Sequence, residues 1–388
     1  MRIAIITESF APDLNGVAHC VVQTAEHLVR RGHHPLVIAP EPGHPGRTDD
    51  QFPYPVERVP SMPLPGYPSF RLGLPSRTIR SALVQHRTDV VHLASPVFLG
   101  VSGNAVARHL DLPTVAVYQT DIPAYARAYG LRAAGEAAAW RWLRRVHNAA
   151  ERTLAPSTAI MTQLHTHGFE RLWLWGRGVD TVRFDPAKRD DALRRRIAPG
   201  GEMLAGYVGR LATEKRIDLL AEVARLPGVR LAIVGGGPAE AALRERMPSA
   251  LFLGEQRGEE LARTYASLDV FVHAGTYETF GQTLQEAAAS GVPVVAPAVG
   301  GPLDIVDDGT TGHLVMPGSA AAIAEAVTRL AASPRLRHAQ GRAARQKMLA
   351  RSWTAIGDKL IGHHESALRA RHNRRTRRDS GYRAEAAA

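Results

Sequence analysis

Compact apolar runs alternate with longer amphipathic stretches along most of the chain. The runs at 2–7, 89–94, 203–208 and 230–235 are bounded by turn residues and predict buried strands. Each is followed by a loop and then by helical spacing of apolar positions, first seen over 17–31. Because strands that alternate with helices form parallel sheets covered by helices, the pattern predicts an α/β protein. The alternation occurs in both halves, so we expect two doubly wound parallel-sheet, Rossmann-like domains facing a central cleft.

Breaks in this alternation predict the domain boundaries. Residues 186–202 are polar and charged and end in Pro-Gly-Gly, which is typical of a linker. We therefore predict a first domain over 1–185 and a second over 203–350. A helix over 351–370 is expected to cross back to the first domain, and the basic stretch 371–388 is expected to be a disordered tail.

One long segment of the first domain lacks the alternation. Residues 41–75 are rich in proline, glycine and isolated aromatics, and we predict a loop without regular structure there. Tyr67, Phe70 and Arg71 within it are candidate contacts for an acceptor or a membrane surface. A plain surface loop is the alternative interpretation.

The stretch 273–302 carries two carboxylates where a strand–loop–helix unit would bind a ligand. Glu278 falls in the predicted loop after a strand at 269–273, and Glu286 follows eight residues later in a helix predicted over 282–290. In such a unit the ligand lies at the carboxyl end of the strand and faces the helix N-terminus. Both carboxylates can then point into one crevice.

The same crevice is predicted to accept an anion. Free backbone N–H groups of Phe280, Gly281 and Gln282 at the helix start can meet negative charge. Carboxylates beside an anion site suit neutral hydroxyls, so a ribose and a sugar are the expected guests. A nucleotide sugar carries both kinds of group. From spacing alone, the two glutamates could equally be solvated residues of a surface helix.

A second loop places cations at the end of another predicted strand. After the strand at 203–208, Arg210 and Lys215 lie beside a predicted helix N-terminus. Two cations and a set of backbone N–H groups suit a diphosphate. Gly235 ends the next strand and is expected to let a nucleotide lie close to the backbone. An ordinary exposed basic loop is the alternative.

Sequence segments at these positions resemble a known enzyme family. YETFGQTLQEAAASG around the two glutamates, GRLATEK with its Arg and Lys, and the segments YQTDIPAYA and RGVDTVRF are similar to retaining glycosyltransferases of family 4. These belong to the glycogen-synthase-like superfamily with the GT-B fold. The resemblance covers nearly the whole chain and is closest to GDP-mannose-dependent α-mannosyltransferases that act on glycolipids. Relatives with the same two glutamates use UDP-glucose, UDP-N-acetylglucosamine or UDP-sulfoquinovose, and these donors stay open.

The resemblance implies a role for each matching residue. It implies retention at the anomeric carbon, with Glu278 meeting the donor sugar and Glu286 holding the ribose. Gly16, in the loop 8–16, would let the backbone approach the donor phosphates, and a mere tight turn is the alternative. The loop lacks the G-x-G-x-x-G pattern, so it does not indicate NAD. The expected donor-binding residues are Gly16, Arg210, Lys215, Gly235, Glu278, Thr279, Phe280, Gly281, Gln282 and Glu286.

On the acceptor side the sequence departs from the family. Many relatives carry a histidine where this chain has Gln119, so no histidine role is transferred. The neighbouring Asp121 is the expected ligand of sugar or acceptor hydroxyls. The run 154–157 resembles the last strand of the family's first domain. The expected acceptor-binding residues are Tyr67, Arg71, Gln119 and Asp121, and the expected catalytic residues are Asp121, Arg210, Lys215 and Glu278.

No metal and no cofactor besides the nucleotide-sugar donor is expected. The sequence has no Asp-x-Asp pair, and its one cysteine, Cys20, excludes an intramolecular disulfide and a cysteine metal cluster. Arg210, Lys215 and helix dipoles would hold the diphosphate instead. No carboxylate is obviously placed as a nucleophile, so the leaving phosphate oxygen is the expected base.

Charge and hydropathy bear on partners and location. The net charge of +11, with much of the excess in 369–378, suggests a polyanionic partner, although wide use of arginine is a blander cause. Trp140 and Trp142 in a basic helix suit an anionic lipid surface, and two core tryptophans are the alternative. No apolar run approaches the roughly 20 residues of a membrane span. We expect a cytoplasmic monomer or dimer that binds no nucleic acid, and peripheral contact with the inner face of the plasma membrane stays open.

Rival functions come from other classes. A non-catalytic glycosyltransferase-like subunit would be favoured by loss of the charged site residues, and all four are present: Arg210, Lys215, Glu278 and Glu286. Only the net charge supports a nucleic-acid-binding function, and no motif does. A sugar-nucleotide epimerase of similar fold would act on the donor with no acceptor present.

Overall fold

The computed structural model describes residues 1–13, 15–43, 49–64, 67–94, 96–119, 133–278 and 280–385. The chain forms two compact units. The first comprises residues 1–156, 161–176 and 356–388, and the second comprises residues 157–160 and 177–355. The chain therefore enters the second unit briefly at residues 157–160, enters it again after residue 176, and returns to the first at residue 356.

The first unit is built on a parallel sheet. Its described strands are β1 (Arg2–Thr7), β2 (His34–Pro40), β3 (Val56–Val59), β6 (Val90–Ala94), β7 (Thr114–Val117), β8 (Arg152–Ala155) and β9 (Leu172–Leu174). They lie in the order β3-β2-β1-β6-β7-β8-β9, and every pairing is parallel. The order runs outward from β1 in both directions, so the topological switch point lies between β1 and β6.

The second unit repeats this plan. Its described strands are β10 (Met203–Val208), β11 (Val229–Val234), β12 (Leu251–Gly254), β13 (Val270–Val272), β14 (Val294–Pro297) and β15 (Gly312–Val315). They pair in parallel in the order β12-β11-β10-β13-β14-β15. The switch point lies between β10 and β13. Loops after these two strands therefore emerge side by side at the carboxyl edge of the sheet.

Alternation along the strands buries both faces of the second sheet. Leu204 and Phe271 belong to one apolar core, whereas Ala205 and Val270 belong to the core on the opposite face. Successive side chains of a strand point to opposite sides, so a strand covered on both faces is apolar throughout. This explains why the compact apolar runs of the sequence correspond to strands.

Helices connect most of the strands. The described helices are Gly16–Arg30, Arg77–Gln85, Leu99–His109, Ala133–Asn148, Thr158–Thr166, Asp191–Ile197, Glu240–Arg246, Gly258–Ser267, Gln282–Ala289, Pro302–Ile305, Ala320–Ala332, Pro334–Leu349 and Trp353–Glu385. Shorter 3-10 turns occur at Asp49–Gln51, Pro186–Lys188, Thr213–Lys215, Ile217–Ala221 and Val223–Arg225. No helix among the described residues combines the length and the apolar character that a membrane crossing requires.

The prediction of an irregular loop over 41–75 is wrong. β3 extends the first sheet, and β4 (Ser61–Leu64) pairs with β5 (Tyr67–Gly73) in an antiparallel hairpin. The prolines that suggested a loop are compatible with this two-stranded ribbon, because an edge strand tolerates residues that cannot donate a hydrogen bond. The run 154–157 was also placed wrongly as the last strand of its sheet, since β9 pairs with β8 beyond it.

Residues 186–202 contain regular structure in the second unit. A helix over Asp191–Ile197 begins at Asp190, whose carboxylate accepts a hydrogen bond from Leu193 N at 2.9 Å. Arg194 pairs with Asp269 at 2.9 Å, just before β13. The stretch predicted as a linker is therefore anchored to the sheet that it was expected to precede.

The final helix is longer than the sequence pattern indicates. It begins at Trp353 as expected but continues to Glu385, well beyond the predicted end near 370. Arg371 and Arg374 donate to the Glu151 carboxylate at 3.1 and 2.7 Å. Two arginines of the stretch predicted to be a disordered tail thus neutralise a carboxylate of the first unit.

We expect Gly235→Ala to lower the free energy of unfolding far more than Gly228→Ala. Both glycines have positive φ, which costs an alanine about 1 kcal/mol. A Cβ at Gly235 would also lie 2.0 Å from Gly209 O, whereas the space around Gly228 is open. Overpacking should bring the loss at Gly235 to about 3 kcal/mol or more. Urea denaturation of both variants measures the difference, and equal losses would contradict this packing argument.

Candidate active site

The loops after β10 and β13 bring the predicted cations and carboxylates together within the second unit. β10 hydrogen-bonds to β11 on one side and β13 on the other. The loop after β10 carries Arg210 and the turn Thr213–Lys215, and the loop after β13 carries Glu278. The switch point therefore places residues that are distant in sequence at one edge of the sheet.

Lys215 and Glu278 form the central ion pair of this edge. Lys215 Nζ lies 3.1 Å from Glu278 Oε2, and Gly281 N donates to the other carboxylate oxygen at 3.0 Å. Burial acts to raise the pKa of Glu278, but Lys215, His273 and the Gly281 hydrogen bond outweigh it, so the pKa is lowered. The carboxylate is ionised at neutral pH and already has a cationic partner.

His273 lies behind this pair, and the sequence analysis assigned it no role. Its side chain is 2% exposed, and Nε2 lies 3.9 Å from Glu278 Oε2. Among the described residues, none forms a hydrogen bond with either ring nitrogen. Burial lowers the pKa of His273 to about 4; Glu278 and the adjacent Gly275 backbone oppose the change, and Lys215 adds to it. The ring is therefore neutral at physiological pH.

The Glu278 loop is held by close backbone packing. Gly301 N donates to Glu278 O at 2.7 Å, and a Cβ at Gly300 would lie 2.5 Å from the same oxygen. Gly281 has φ 94° at the start of the helix Gln282–Ala289, and the side chain of Phe280 is buried. Because the Gly281 N–H is occupied by Glu278, it is not free for an anion as the sequence analysis expected.

Glu286 lies one turn into this helix and is partly buried. Tyr265 donates its hydroxyl to Glu286 Oε2 at 3.1 Å. Burial raises the pKa of Glu286 to about 7, although hydrogen bonds from Tyr265 and Gln282 oppose the rise. Tyr265 is itself buried, and burial and the nearby carboxylate raise the pKa of its phenol. Glu286 is thus a carboxyl group near its midpoint of ionisation at neutral pH.

Further contacts fix the orientation of the helix. Gln282 and Gln285 donate to the carbonyls of Gly178 and Arg177 at 3.3 and 3.1 Å. Arg345 donates to Ala289 O at the end of the helix at 2.7 Å, and its other bonds reach Thr181 O, Phe184 O and Asp185. Both ends of the helix are therefore tied to residues 177–185.

Arg210 and Gly235 have protein partners in this structure. Arg210 is 64% exposed and forms an ion pair with Glu214 across the turn. Because glycine has no side chain, Gly235 leaves room for Gly209 O, and Gly237 leaves room for Leu211 O. Gly235 therefore allows the loops after β10 and β11 to pack closely against each other. The cationic side chain of Arg210 remains at the surface.

The structure describes some of the predicted site residues of the first unit and leaves others undescribed. Gly16 begins the helix Gly16–Arg30, with Asn15 as its N-cap, and Gln119 is a partly buried residue after β7. Arg71 donates to Ser61 Oγ and O at 2.7 and 2.9 Å within its hairpin. Asp121, Thr279 and the side chain of Tyr67 lie outside the described residues.

A buried carboxylate of the first unit was also missed. Glu8 follows β1, and its Oε1 accepts hydrogen bonds from the backbone N–H groups of Val97, Phe98 and Gly100 at 3.1, 2.7 and 3.0 Å. Burial raises its pKa, while these hydrogen bonds act to lower it. Glu8 therefore fixes the start of the helix Leu99–His109 against the central strand.

The described part of the chain contains no cluster of three or more His, Cys, Asp or Glu side chains arranged to hold a metal ion. The arrangement that is present can hold an anion through Lys215 and Arg210. It can also offer two carboxylates, Glu278 and Glu286, to hydroxyl groups. These are the functional groups that a nucleoside diphosphate sugar requires.

Family models match both halves of the chain. Residues 14–183 match the one described as Glycosyltransferase Family 4, and residues 189–347 match the one described as Glycosyl transferases group 1. A "GDP-mannose-dependent alpha-mannosyltransferase" of Mycolicibacterium smegmatis is 47% identical over 95% of this chain and 98% of its own. One from Mycobacterium tuberculosis is 48% identical over 96% and 98%. "Sulfoquinovosyl transferase SQD2" of Arabidopsis thaliana is 35% identical over 79% of this chain and 62% of its own.

Solved structures share the fold at low sequence identity. Anabaena Alr3699/HepE in complex with UDP has a TM-score of 0.76 and 20% identity, covering 94% of this chain and 100% of that chain. Sucrose-phosphate synthase from Thermosynechococcus elongatus has a TM-score of 0.74 and 22% identity, covering 95% and 99%. These similarities confirm the predicted GT-B class with its two parallel-sheet domains.

The ionisation of Glu286 gives a prediction about stability and pH. The folded protein keeps this proton until about pH 7, whereas the ordinary carboxyl value is 4.5. Between these values the folded state binds more protons than the unfolded state, so stability falls as pH rises and levels off above pH 7. Wild type should lose on the order of 2 kcal/mol more than Glu286→Gln across this window.

Urea unfolding at a series of pH values measures this difference. Glu245→Gln serves as the control, because Glu245 is an exposed carboxylate on the helix Glu240–Arg246. The control should follow the wild-type pH dependence. Parallel curves for wild type and Glu286→Gln would show that Glu286 titrates normally.

Proposed function

The chain belongs to the family-4 glycosyltransferases of GT-B fold, and from this membership we propose that it transfers mannose from GDP-mannose to an acceptor hydroxyl with retention of configuration. The enzyme is a glycosyltransferase; the donor is supported by the two mannosyltransferases that match at 47% and 48% identity over nearly their full length. The observation that carries the proposal is the Lys215–Glu278 pair at the switch point, with Glu286 one turn into the helix that follows.

The proposed donor site divides the nucleotide sugar among these residues. Lys215 and Arg210 bind the diphosphate, Glu278 binds hydroxyls of the mannose, and Glu286 binds the ribose. Each charge-assisted hydrogen bond to phosphate contributes about 1.5–3 kcal/mol. Their strength rises as negative charge develops on the leaving diphosphate, which stabilises the transition state more than the bound substrate. Arg210 would exchange Glu214 for a phosphate oxygen.

The proposed reaction exchanges one bond at the anomeric carbon for another. The bond from this carbon to the diphosphate oxygen breaks, and the acceptor oxygen bonds to the same face. The acceptor proton passes to the departing phosphate oxygen, so no protein nucleophile is required. Asp121 is proposed to bind the acceptor or sugar hydroxyls. Lys215 and Arg210 take the charge-stabilising role that a metal ion has in other transferases, and we propose that transfer needs no metal.

A glycolipid is the proposed acceptor, and a surface of the first unit supports it. On the helix Ala133–Asn148, Trp142 is 43% exposed, and the neighbouring Arg141, Arg144 and Arg145 are exposed as well. Trp140 is instead buried and stacks on His167 at 3.7 Å between ring centroids. One of the two tryptophans thus serves the core, and the other lies among arginines. Such a surface suits peripheral contact with the anionic inner face of a plasma membrane.

Transfer from a UDP-sugar is the alternative, since the plant relative at 35% identity is a sulfoquinovosyl transferase. Its lower identity and coverage favour GDP-mannose. A non-catalytic subunit would have no need of an ionised Glu278 paired with Lys215. Whether the enzyme acts as a monomer or a dimer stays a prediction.

Lys215→Met should weaken GDP-mannose binding about 10-fold or more, because one cationic hydrogen bond to phosphate is lost. Calorimetric titration with GDP-mannose, UDP-glucose and UDP-N-acetylglucosamine in the presence of EDTA measures donor preference and metal independence together. Lys347→Met is the matched control, since Lys347 pairs with Asp307 at 2.8 Å outside the site. Tighter binding of a UDP-sugar would replace the proposed donor, and binding that requires a divalent cation would refute the metal-free site.

Replacing Arg141 and Arg145 by glutamine should weaken binding to anionic vesicles about 10-fold or more, at about 1 kcal/mol for each basic residue near the surface. Co-sedimentation with phosphatidylcholine vesicles, with and without phosphatidylglycerol, measures this affinity. The control replaces Arg195 and Arg196 by glutamine, which removes the same charge. Both arginines are exposed on the helix Asp191–Ile197. Equal losses in both double variants would indicate attraction by net charge alone.

A further inference from the structure

We propose that His273 is a positioning residue, which takes over Glu278 Oε2 as its hydrogen-bond partner when a bound diphosphate draws Lys215 away. This inference rests on the proposed function, because it assigns Lys215 to the diphosphate and Glu278 to the sugar. No motif of the sequence predicts this role for His273. It also describes an exchange of partners at one carboxylate oxygen.

The need for an exchange follows from the contacts of Lys215. Its ammonium group lies 3.1 Å from Glu278 Oε2 in the ligand-free structure. An ammonium that turns toward phosphate oxygens weakens this contact, and Oε2 then loses a charge-assisted hydrogen bond. Oε1 stays fixed by Gly281 N at 3.0 Å. One oxygen of Glu278 therefore has a permanent partner, and the other depends on the ligand.

His273 is the group placed to supply the second partner. Nε2 lies 3.9 Å from Oε2, so a shift of about 1 Å brings the two atoms within hydrogen-bond distance. The side chain is buried, and its ring nitrogens form no well-aligned hydrogen bond with the described residues, although the Gly275 backbone lies beside the ring. A buried polar group without a partner is costly, so formation of this hydrogen bond is favoured once Oε2 is released.

The surroundings hold the ring at this position. His273 N donates to Val295 O at 2.9 Å, which fixes the backbone at the end of β13. The Tyr207 ring lies nearly parallel to the imidazole, with centroids 6.5 Å apart. Gly275 leaves the approach open, because a Cβ there would come within 3.3 Å of His273 Nε2. The absence of a side chain at Gly275 therefore leaves room beside Nε2, and the fixed backbone keeps the ring near Glu278.

The ionisation state agrees with this assignment. A neutral imidazole carries one N–H, and with the proton on Nε2 it donates to a carboxylate without adding charge beside Lys215. Burial, with a smaller contribution from Lys215, lowers the pKa of His273 and keeps the ring neutral. The consequence is that Glu278 keeps one geometry in both states. The sugar then meets a carboxylate that is still oriented after the diphosphate has bound.

A ligand-free experiment tests the exchange directly. In Lys215→Met the Nε2–H of His273 should bond to Glu278, giving a slowly exchanging, downfield-shifted imidazole proton in ¹H–¹⁵N NMR spectra. Wild type and Lys347→Met should lack this signal. Adding Glu278→Leu to Lys215→Met should abolish it. A Lys215→Met spectrum without the signal would overturn the proposal, whatever the donor proves to be.

Two side-chain replacements separate positioning from packing. Glutamine places an N–H near the position of imidazole Nε2, whereas asparagine places one near Nδ1. His273→Gln should keep kcat for mannosyl transfer within about threefold of wild type, and His273→Asn should lower kcat about 10-fold or more. Affinity for GDP should stay within about twofold in both. Equal kcat values for the two variants would contradict the proposal.

The outcomes also distinguish this inference from the proposed function. If the enzyme uses a UDP-sugar, the kcat values of the glutamine and asparagine variants are measured with that donor. The expected difference in kcat between the two variants is the same. In wild type, saturating GDP or UDP should produce the imidazole signal that Lys215→Met shows without ligand. Nucleotide binding without that signal would refute the exchange while leaving the transferase function intact.

Discussion

The ion pair between Lys215 and Glu278 is the interaction on which the arrangement of the candidate site depends. It joins the loop after β10 to the loop after β13, and these loops meet because the sheet changes direction between those strands. The glycines at 300 and 301 make room for the Glu278 loop, and Arg345 secures the far end of the following helix. Without this packing, a charged pair at the surface would contribute little. Held in place, it defines where a ligand can bind.

The elements around this pair could be predicted from sequence because their signals are local. The run 203–208 is a strand, and the helix predicted to start at Gln282 begins there. The hairpin Ser61–Gly73 could not be predicted in the same way, because its prolines and glycines carry the signature of a loop. The helix Pro334–Leu349 was missed as well, since only a proline and a serine cap mark its start.

The candidate site shows the same division between local and distant information. Glu278, Glu286, Arg210 and Lys215 lie in recognisable segments, so their positions in the second unit could be predicted, whereas their roles stay predictions. Tyr265 contacts Glu286, which lies 21 residues away, and His273 at the end of β13 lies near Glu278 because the following loop folds back over it. An aromatic residue in a helix and a histidine ending a strand are ordinary features of a core. Only the packed structure shows that each faces a carboxylate.

The resting partnership of Lys215 with Glu278 also bears on how the enzyme selects among anions in a cell. Inorganic phosphate can neutralise Lys215, but it offers Glu278 no hydroxyl donor in place of the ammonium group that it removes. On the proposed assignment, a complete nucleotide sugar compensates both residues, because its phosphates meet the cation and its hydroxyls meet the carboxylate. A ligand that carries phosphates alone leaves Glu278 with a neutral imidazole in place of the ammonium group, so the internal ion pair opposes its binding more than that of the whole substrate. Selectivity for the whole substrate thus begins with a contact that the protein makes to itself.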